Sequence, residues 1–184
     1  AYLEEQNALP ETPLVAMVPV SLRSEHEQDA GGNMVGTILC NLATDTADPL
    51  RRLEAISSST RDNKRVFSEL LRTQALALSG FLIAGLGLSL VPGVVSSTPP
   101  PFNIVISNVP GAREPMYWNG ARLDGNYPMS IALDGQALNI TLTNNADNLD
   151  FGLVGCRRSV PHLQRLLVHL EDSLTDLEKA AAAI

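Results

Sequence analysis

The sequence predicts an α+β domain in which a mixed β-sheet is layered with long helices, and three observations predict it. Leu14-Val15-Ala16-Met17-Val18-Pro19-Val20 is continuously apolar and rich in β-branched residues, as in a strand buried on both faces. Residues 102–154 break into short apolar segments separated by turn residues. The tail, residues 160–184, carries Leu163, Leu166, Leu167, Leu170, Leu174 and Leu177 on one stripe. Strands in mixed order with two or three long helices on one side bury both kinds of apolar face.

Taken in order, Ala1-Tyr2-Leu3-Glu4-Glu5-Gln6 reads as the last turns of a helix, with neither an initiator Met nor a basic region leading into an apolar core. That start predicts a piece of a longer polypeptide. After the first strand, residues 24–33 form a polar loop punctuated by Gly31-Gly32, and residues 34–42 form a second strand. Thr46 or Asp48 caps a helix with Pro49 in its first turn and Leu50, Leu53 and Ile56 at helical spacing. Residues 61–72 spread six charges around Val66, Phe67, Leu70 and Leu71, the pattern of an amphipathic surface helix.

The character then changes, because residues 73–112 contain no charged side chain. Residues 75–90 are apolar and helix-compatible, but Gly80, Gly85, Gly87 and Pro92-Gly93 interrupt the roughly 20 residues that a spanning helix needs. The prediction is a helix buried in a larger structure or resting at a lipid interface. Residues 96–101, ending in three prolines, form a stiff connector. A strand over residues 102–107 ends at a Pro110-Gly111 turn. Strands follow over 116–123, 127–133 and 137–144, with Asp134-Gly135 as a hairpin signal, and another over 149–154.

A chain of 184 residues and 19.7 kDa is one domain with room for a core, and 45% hydrophobic with 18% charged residues is a globular composition. Thirteen Lys+Arg against 20 Asp+Glu give a net charge of −7 and a pI near 4.9, which argues against a basic nucleic-acid surface. Cys40 and Cys156 fit no C-x-x-C pattern, so neither a disulfide scaffold nor a zinc site is indicated, and a reducing compartment is expected. No metal-ligand cluster appears.

His26, His162 and His169 are candidate general bases by residue type, but no carboxylate or nucleophile stands at a suggestive spacing, and structural or solvent-facing roles fit them better. No G-x-S-x-G elbow is present. Gly85-Leu86-Gly87 opens like a dinucleotide fingerprint, yet Leu90 stands in place of the third glycine. Asn139-Ile140-Thr141 is a formal glycosylation sequon that reads as strand. The site-like segment is Ile106-Ser107-Asn108-Val109-Pro110-Gly111, an apolar strand whose end switches to a hydroxyl and an amide. Such groups can donate to a ligand oxygen or an oxyanion, or can satisfy turn amides. The residues alone leave both readings open.

Val18-Pro19-Val20-Ser21-Leu22-Arg23, Gly32-Asn33, Thr44-Asp45 and Asp48-Pro49-Leu50-Arg51-Arg52-Leu53 together resemble the bacterial wax ester synthase/diacylglycerol acyltransferase family. Ser107-Asn108-Val109-Pro110-Gly111 matches that family's signature. Asn126-Tyr127-Pro128-Met129-Ser130, Gly135-Gln136-Ala137-Leu138-Asn139-Ile140 and Asp150-Phe151-Gly152-Leu153-Val154-Gly155 are similar to its next blocks. Cys156 stands where an acidic residue is expected. The resemblance covers essentially all of residues 1–184 and implies the C-terminal domain of a two-domain enzyme with a chloramphenicol acetyltransferase-like fold.

It also implies what this chain lacks, because the family's catalytic base lies in a His-His-x-x-x-Asp-Gly motif of the N-terminal domain. The chain alone is therefore expected to be inactive. The implied reaction is long-chain acyl transfer from acyl-CoA, a substrate rather than a cofactor, to diacylglycerol or a fatty alcohol. By analogy with related enzymes, Ser107 supplies the oxyanion donor, with Asn108 as second choice. Val109, Pro110 and Gly111 would contact substrate, and Leu82, Ile83, Leu86 and Leu90 would line an acyl tunnel or pack the core. Arg23 would form a structural ion pair, and Asn33 would close the strand entry. The implied location is cytoplasmic, at the periphery of a membrane or lipid droplet, with no nucleic-acid partner. A non-catalytic lipid-binding or interaction module of the same fold is the alternative, and a condensation-type enzyme with a carrier-protein donor is a third.

Overall fold

The computed structural model describes residues 1–22, 35–70, 72–88, 101–132 and 135–183. Its elements are α1 (Tyr2–Glu5), β1 (Val15–Ser21), β2 (Val35–Asn41), α2 (Pro49–Glu69), α3 (Arg72–Leu88), β3 (Ile104–Ala112), β4 (Tyr117–Trp118), β5 (Ala121–Arg122), β6 (Leu138–Asn145), β7 (Asn148–Gly155) and α4 (Arg165–Ala182). The five long strands form one mixed sheet in the order β2-β1-β3-β6-β7. The outer pairs β1/β2 and β6/β7 are antiparallel, and the inner pairs β1/β3 and β3/β6 are parallel.

The period-2 alternation of each strand sorts its side chains between two unlike faces. On one face Ala16, Ile38, Cys40 and Ile104 are buried with Ile56 and Phe67 of α2 and Ala75 of α3. α2 also contacts α4, so the long helices share this face. Asp48 starts α2 by accepting the Arg51 N–H at 2.8 Å, and Pro49 follows at the first helical position. Of the segment 61–72 read as one amphipathic surface helix, residues 61–69 are the second half of α2, whereas α2 ends at Glu69, Leu70 is extended and Arg72 opens α3. The edge strand β2 is covered by helix hydroxyls: Thr37 N–H donates to Ser79 Oγ of α3 at 2.9 Å and Asn41 N–H to Ser59 Oγ of α2 at 3.0 Å. α1 is held to the α4 side by the Tyr2 hydroxyl on the Pro161 carbonyl at 2.6 Å and by the Glu5–Arg165 ion pair at 2.5 Å.

Among the described residues the opposite face carries no helix. Phe102 and Val105 pack with Val15, Met17 and Leu39 at one end of it. At the other end a strap, residues 123–132, crosses β6 and β7 without ladder pairing. Three side chains hold the strap: Asp150 accepts from Asn126 N–H at 2.7 Å, Asn145 donates to the Asp124 carbonyl at 3.1 Å, and Asn139 to the Ile131 carbonyl at 3.4 Å.

Several expectations need correction. Pro110-Gly111 is not a turn: β3 runs through it to Ala112, with a register irregularity between Val109 and Ala112, because a bulge absorbs the missing Pro N–H. The strand expected over 116–123 is the hairpin β4/β5, turned by Asn119 (φ 47°) and Gly120 (φ 83°), both left-handed as a type I′ turn requires. The strand expected over 127–133 is absent across the described residues 127–132, where side chains rather than a ladder take up backbone groups. Among the described residues no strand leads into Gly135 to make the expected hairpin, and Asp134 lies outside the described residues, as do the loop 24–33 and residues 96–100 of the proline connector. The C-terminal helix begins at Arg165, after turns, rather than at Val160.

Candidate functional site

The parallel pairing of β1 with β3 stops early. Its register is Ala16 with Ile104 and Met17 with Val105, whereas β1 continues to Ser21 and β3 to Ala112. Beyond Val105, β3 pairs with β6 alone, from Ile106–Ile140 to Val109–Thr143. The two strands therefore part toward their carboxyl ends, and among the described residues the β1-side edge of β3 has no ladder partner there. Backbone N–H groups on such an edge are obligatory donors that look for an acceptor. Clefts at the carboxyl ends of diverging parallel strands are where open sheets place ligands. A cavity of about 800 Å³ occupies this split, lined by residues 18–22 of β1 and its end, by Thr60, Lys64, Phe67 and Ser68 of α2, by Leu70, and by Asn108 of β3.

Ser107 and Asn108 both stand on the free edge of β3, but strand alternation sends them to opposite faces. Asn108 faces the helices and lines the cavity in the split. Ser107 lies beside Thr141 on the helix-free face, half-buried, and its hydroxyl has no partner among the described residues. The two are therefore alternatives, not joint donors to a single oxygen from their side chains. Val109 is exposed on the Ser107 side and Pro110 is exposed. Gly111 serves packing: a Cβ there would strike the Asn144 carbonyl and come within 2.5 Å of Thr143 Oγ1, so glycine permits the close approach of β3 and β6.

Leu82, Ile83 and Leu86 lie on α3. Arg23, Asn33 and Leu90 lie outside the described residues, as does His26. His162 sits in a turn at φ 56°, and His169 Nε2 lies 3.3 Å from the Glu5 carboxyl. Neither adjoins the split. The Arg165 guanidinium, aided by His169, holds the Glu5 carboxyl below its ordinary value, although burial opposes this. Among the described residues no group of three His, Cys, Asp or Glu side chains could hold a metal ion.

The sequence reading missed a polar row beside Ser107. Asn139, Thr141, Thr143 and Asn145 of β6 are all buried on the helix-free face, joined by Asp150 of β7. Thr141 donates to Asn139 Oδ1 at 3.0 Å, and Asn145 to Asp150 Oδ2 at 3.2 Å. Its signal was present as strict Asn-x-Thr-x-Thr-x-Asn alternation.

Comparison with known proteins gives one consistent family. Residues 31–178 match the WS/DGAT C-terminal domain. The chain is 66% identical over 179 residues to a protein of Mycobacterium bovis named as a diacylglycerol O-acyltransferase, covering 97% of this chain and 39% of the relative. It is 47% identical over 182 residues to the O-acyltransferase WSD of Acinetobacter baylyi, covering 99% and 39%. A solved wax ester synthase/diacylglycerol acyltransferase from Marinobacter aquaeolei VT8 superposes with a TM-score of 0.83 at 41% identity, over 98% of this chain and 40% of that one. The chain thus spans about two fifths of the length of these relatives.

Proposed function

The chain belongs to the WS/DGAT C-terminal domain family, and from that premise we propose that it is the C-terminal part of a long-chain acyl-CoA:alcohol O-acyltransferase making triacylglycerol, wax ester or both. The observation that carries the reading to particular atoms is the parting of β1 and β3, which leaves the edge bearing Ser107 and Asn108 without a ladder partner among the described residues. The general base comes from the N-terminal part of the polypeptide, within a His-His-x-x-x-Asp-Gly motif. That histidine takes the hydroxyl proton of diacylglycerol or a fatty alcohol. The alcohol oxygen attacks the thioester carbon, the tetrahedral oxyanion collapses, and CoA departs as the thiol on regaining the proton.

Between attack and collapse the oxyanion needs donors already in place, and Ser107 is the one assigned here. Its hydroxyl has no competing partner among the described residues and sits on a strand fixed by β6, so no reorganisation precedes donation. Val109 and Pro110 border the same edge, Leu82, Ile83, Leu86 and Leu90 contribute to the acyl tunnel, and acyl-CoA enters as substrate with no cofactor. Among the described residues no helix is long and apolar enough to cross a membrane. Phe81 on α3, 77% exposed, supports peripheral contact with a membrane or lipid droplet from the cytoplasmic side.

The test is Ser107→Ala in the full-length polypeptide, assayed with palmitoyl-CoA and either diolein or hexadecanol. Loss of one oxyanion donor lowers kcat by about 10²–10³-fold, with the unfolding temperature unchanged. A wild-type kcat would remove Ser107 from the reaction. Loss of turnover in Asn108→Ala alone would move the donor to the cavity side of β3.

A further inference from the structure

A second cavity, of about 870 Å³, lies at the opposite end of β6 and β7, between the end of the strap and the loop after β7. Gln136 lines it at 4% exposure, with neither its Nε2 nor its Oε1 hydrogen-bonded. A buried amide left unpaired is destabilising, so its presence here points to an acceptor that enters the cavity. Cys156 lines the same cavity and is exposed. The backbone N–H groups of Ser159 and Arg158, with the Ser159 hydroxyl, hold its thiol below the ordinary cysteine value. The rest of the lining is largely apolar: Met129, Ile131, Ala132 and Val154. Arg157 and Arg158, both exposed, follow directly, a basic pair on a chain of net charge −7.

We propose that Cys156 is a site of S-acylation by long-chain acyl-CoA, with the Gln136 amide donating to the acyl oxygen during transfer. This rests on the acyl-CoA donor of the reading above. The Cys156 sulfur attacks the thioester carbon and forms a new S–C bond. The CoA S–C bond breaks, and the proton from Cys156 ends on the departing CoA thiol, so one thioester replaces another and no further reactant is needed. The unpaired Nε2 donors of Gln136 meet the oxyanion, the apolar lining receives the first methylenes of the chain, and Arg157 and Arg158 face the anionic end of CoA.

The experiment incubates the full-length polypeptide with palmitoyl-CoA and no acceptor alcohol, then reads intact mass and peptide mass. The expected result is one palmitoyl group on Cys156, released by neutral hydroxylamine and absent from Cys156→Ser. Gln136→Leu slows the adduct on the order of 10²-fold while leaving alkylation of Cys156 by iodoacetamide at its original rate, a split that mere loss of packing does not produce. Absence of palmitate from Cys156, or equal slowing of both reactions in Gln136→Leu, overturns the proposal. Ester synthesis is measured in the same preparation. Ester without adduct removes this site and leaves the O-acyltransferase reading standing, whereas adduct without ester does the reverse.

Discussion

A methyl group added at Gly152 would land on the carbonyl of Pro128, a backbone atom of the strap and not the movable end of a side chain. Gly152 is buried on β7, opposite Thr141, so the strap presses directly on the sheet at a position without a Cβ. Gly152→Ala is therefore expected to push the strap away and destabilise the fold by at least about 1–3 kcal/mol, read as a lower urea midpoint. An unchanged midpoint would mean that the strap does not lie there. Single residues were unevenly legible in the sequence. The alternation on β6 announced a polar face. The exposed Cys156 could be counted but not located, and the burial of Gln136 depends on a strap that no periodicity encodes. Ser107 and Asn108 were picked out together, yet their neighbouring numbers on a strand are the reason that they part to opposite faces.

At the scale of elements, hydrophobic period served well wherever one face met a core. β1, β2, β6, β7 and the long helices lie within a few residues of where the pattern puts them. It failed where backbone groups are satisfied by other means: at Pro110-Gly111, carried inside β3 by a bulge, and over 127–132, where Asp150 holds the preceding Asn126 N–H and Asn139 the Ile131 carbonyl. The Asn119-Gly120 pair was itself a strong turn signal that an assignment of one continuous strand overrode. The docking of α1 on α4 had no local signal, because Glu5 and Arg165 are 160 residues apart. This clip has a pH signature. A carboxylate held below its ordinary value of 4.5 adds stability in full above that pH, and the contribution disappears as pH falls through the folded-state value. Glu5→Gln should therefore melt slightly lower than the wild-type chain near neutral pH, and the gap should close as acidification passes below the ordinary carboxylate value and through the lowered folded-state one. A gap that persists in acid would mean that Glu5 acts by packing rather than by charge.

At the scale of the whole molecule, a mixed sheet with helices on one face leaves the other face short of cover. Phe102 and the strap supply part of it. The β4/β5 hairpin supplies none and instead projects apolar surface, with Met116 at 53%, Tyr117 at 64% and Trp118 at 87% exposure. Exposed aromatic clusters of this kind mark surfaces that bind something. About three fifths of the length of these relatives lies outside the region matched here, and the reading above assigns the catalytic histidine to that remainder, so on that reading an active centre requires the two parts to meet. We predict that the hairpin is part of that meeting surface. Trp118 is the only tryptophan of this chain and reports on it directly. In the 184-residue chain its emission should be that of water-exposed indole and readily quenched by acrylamide. Mixing with the separately produced N-terminal part should shift the emission to the blue and protect it from the quencher. Trp118→Ala should then weaken association by about 2 kcal/mol or more, roughly thirtyfold in Kd, as buried aromatic anchors do. Association of the two parts with no change at Trp118 would place the meeting surface elsewhere, and the β3 edge would then be completed from another side.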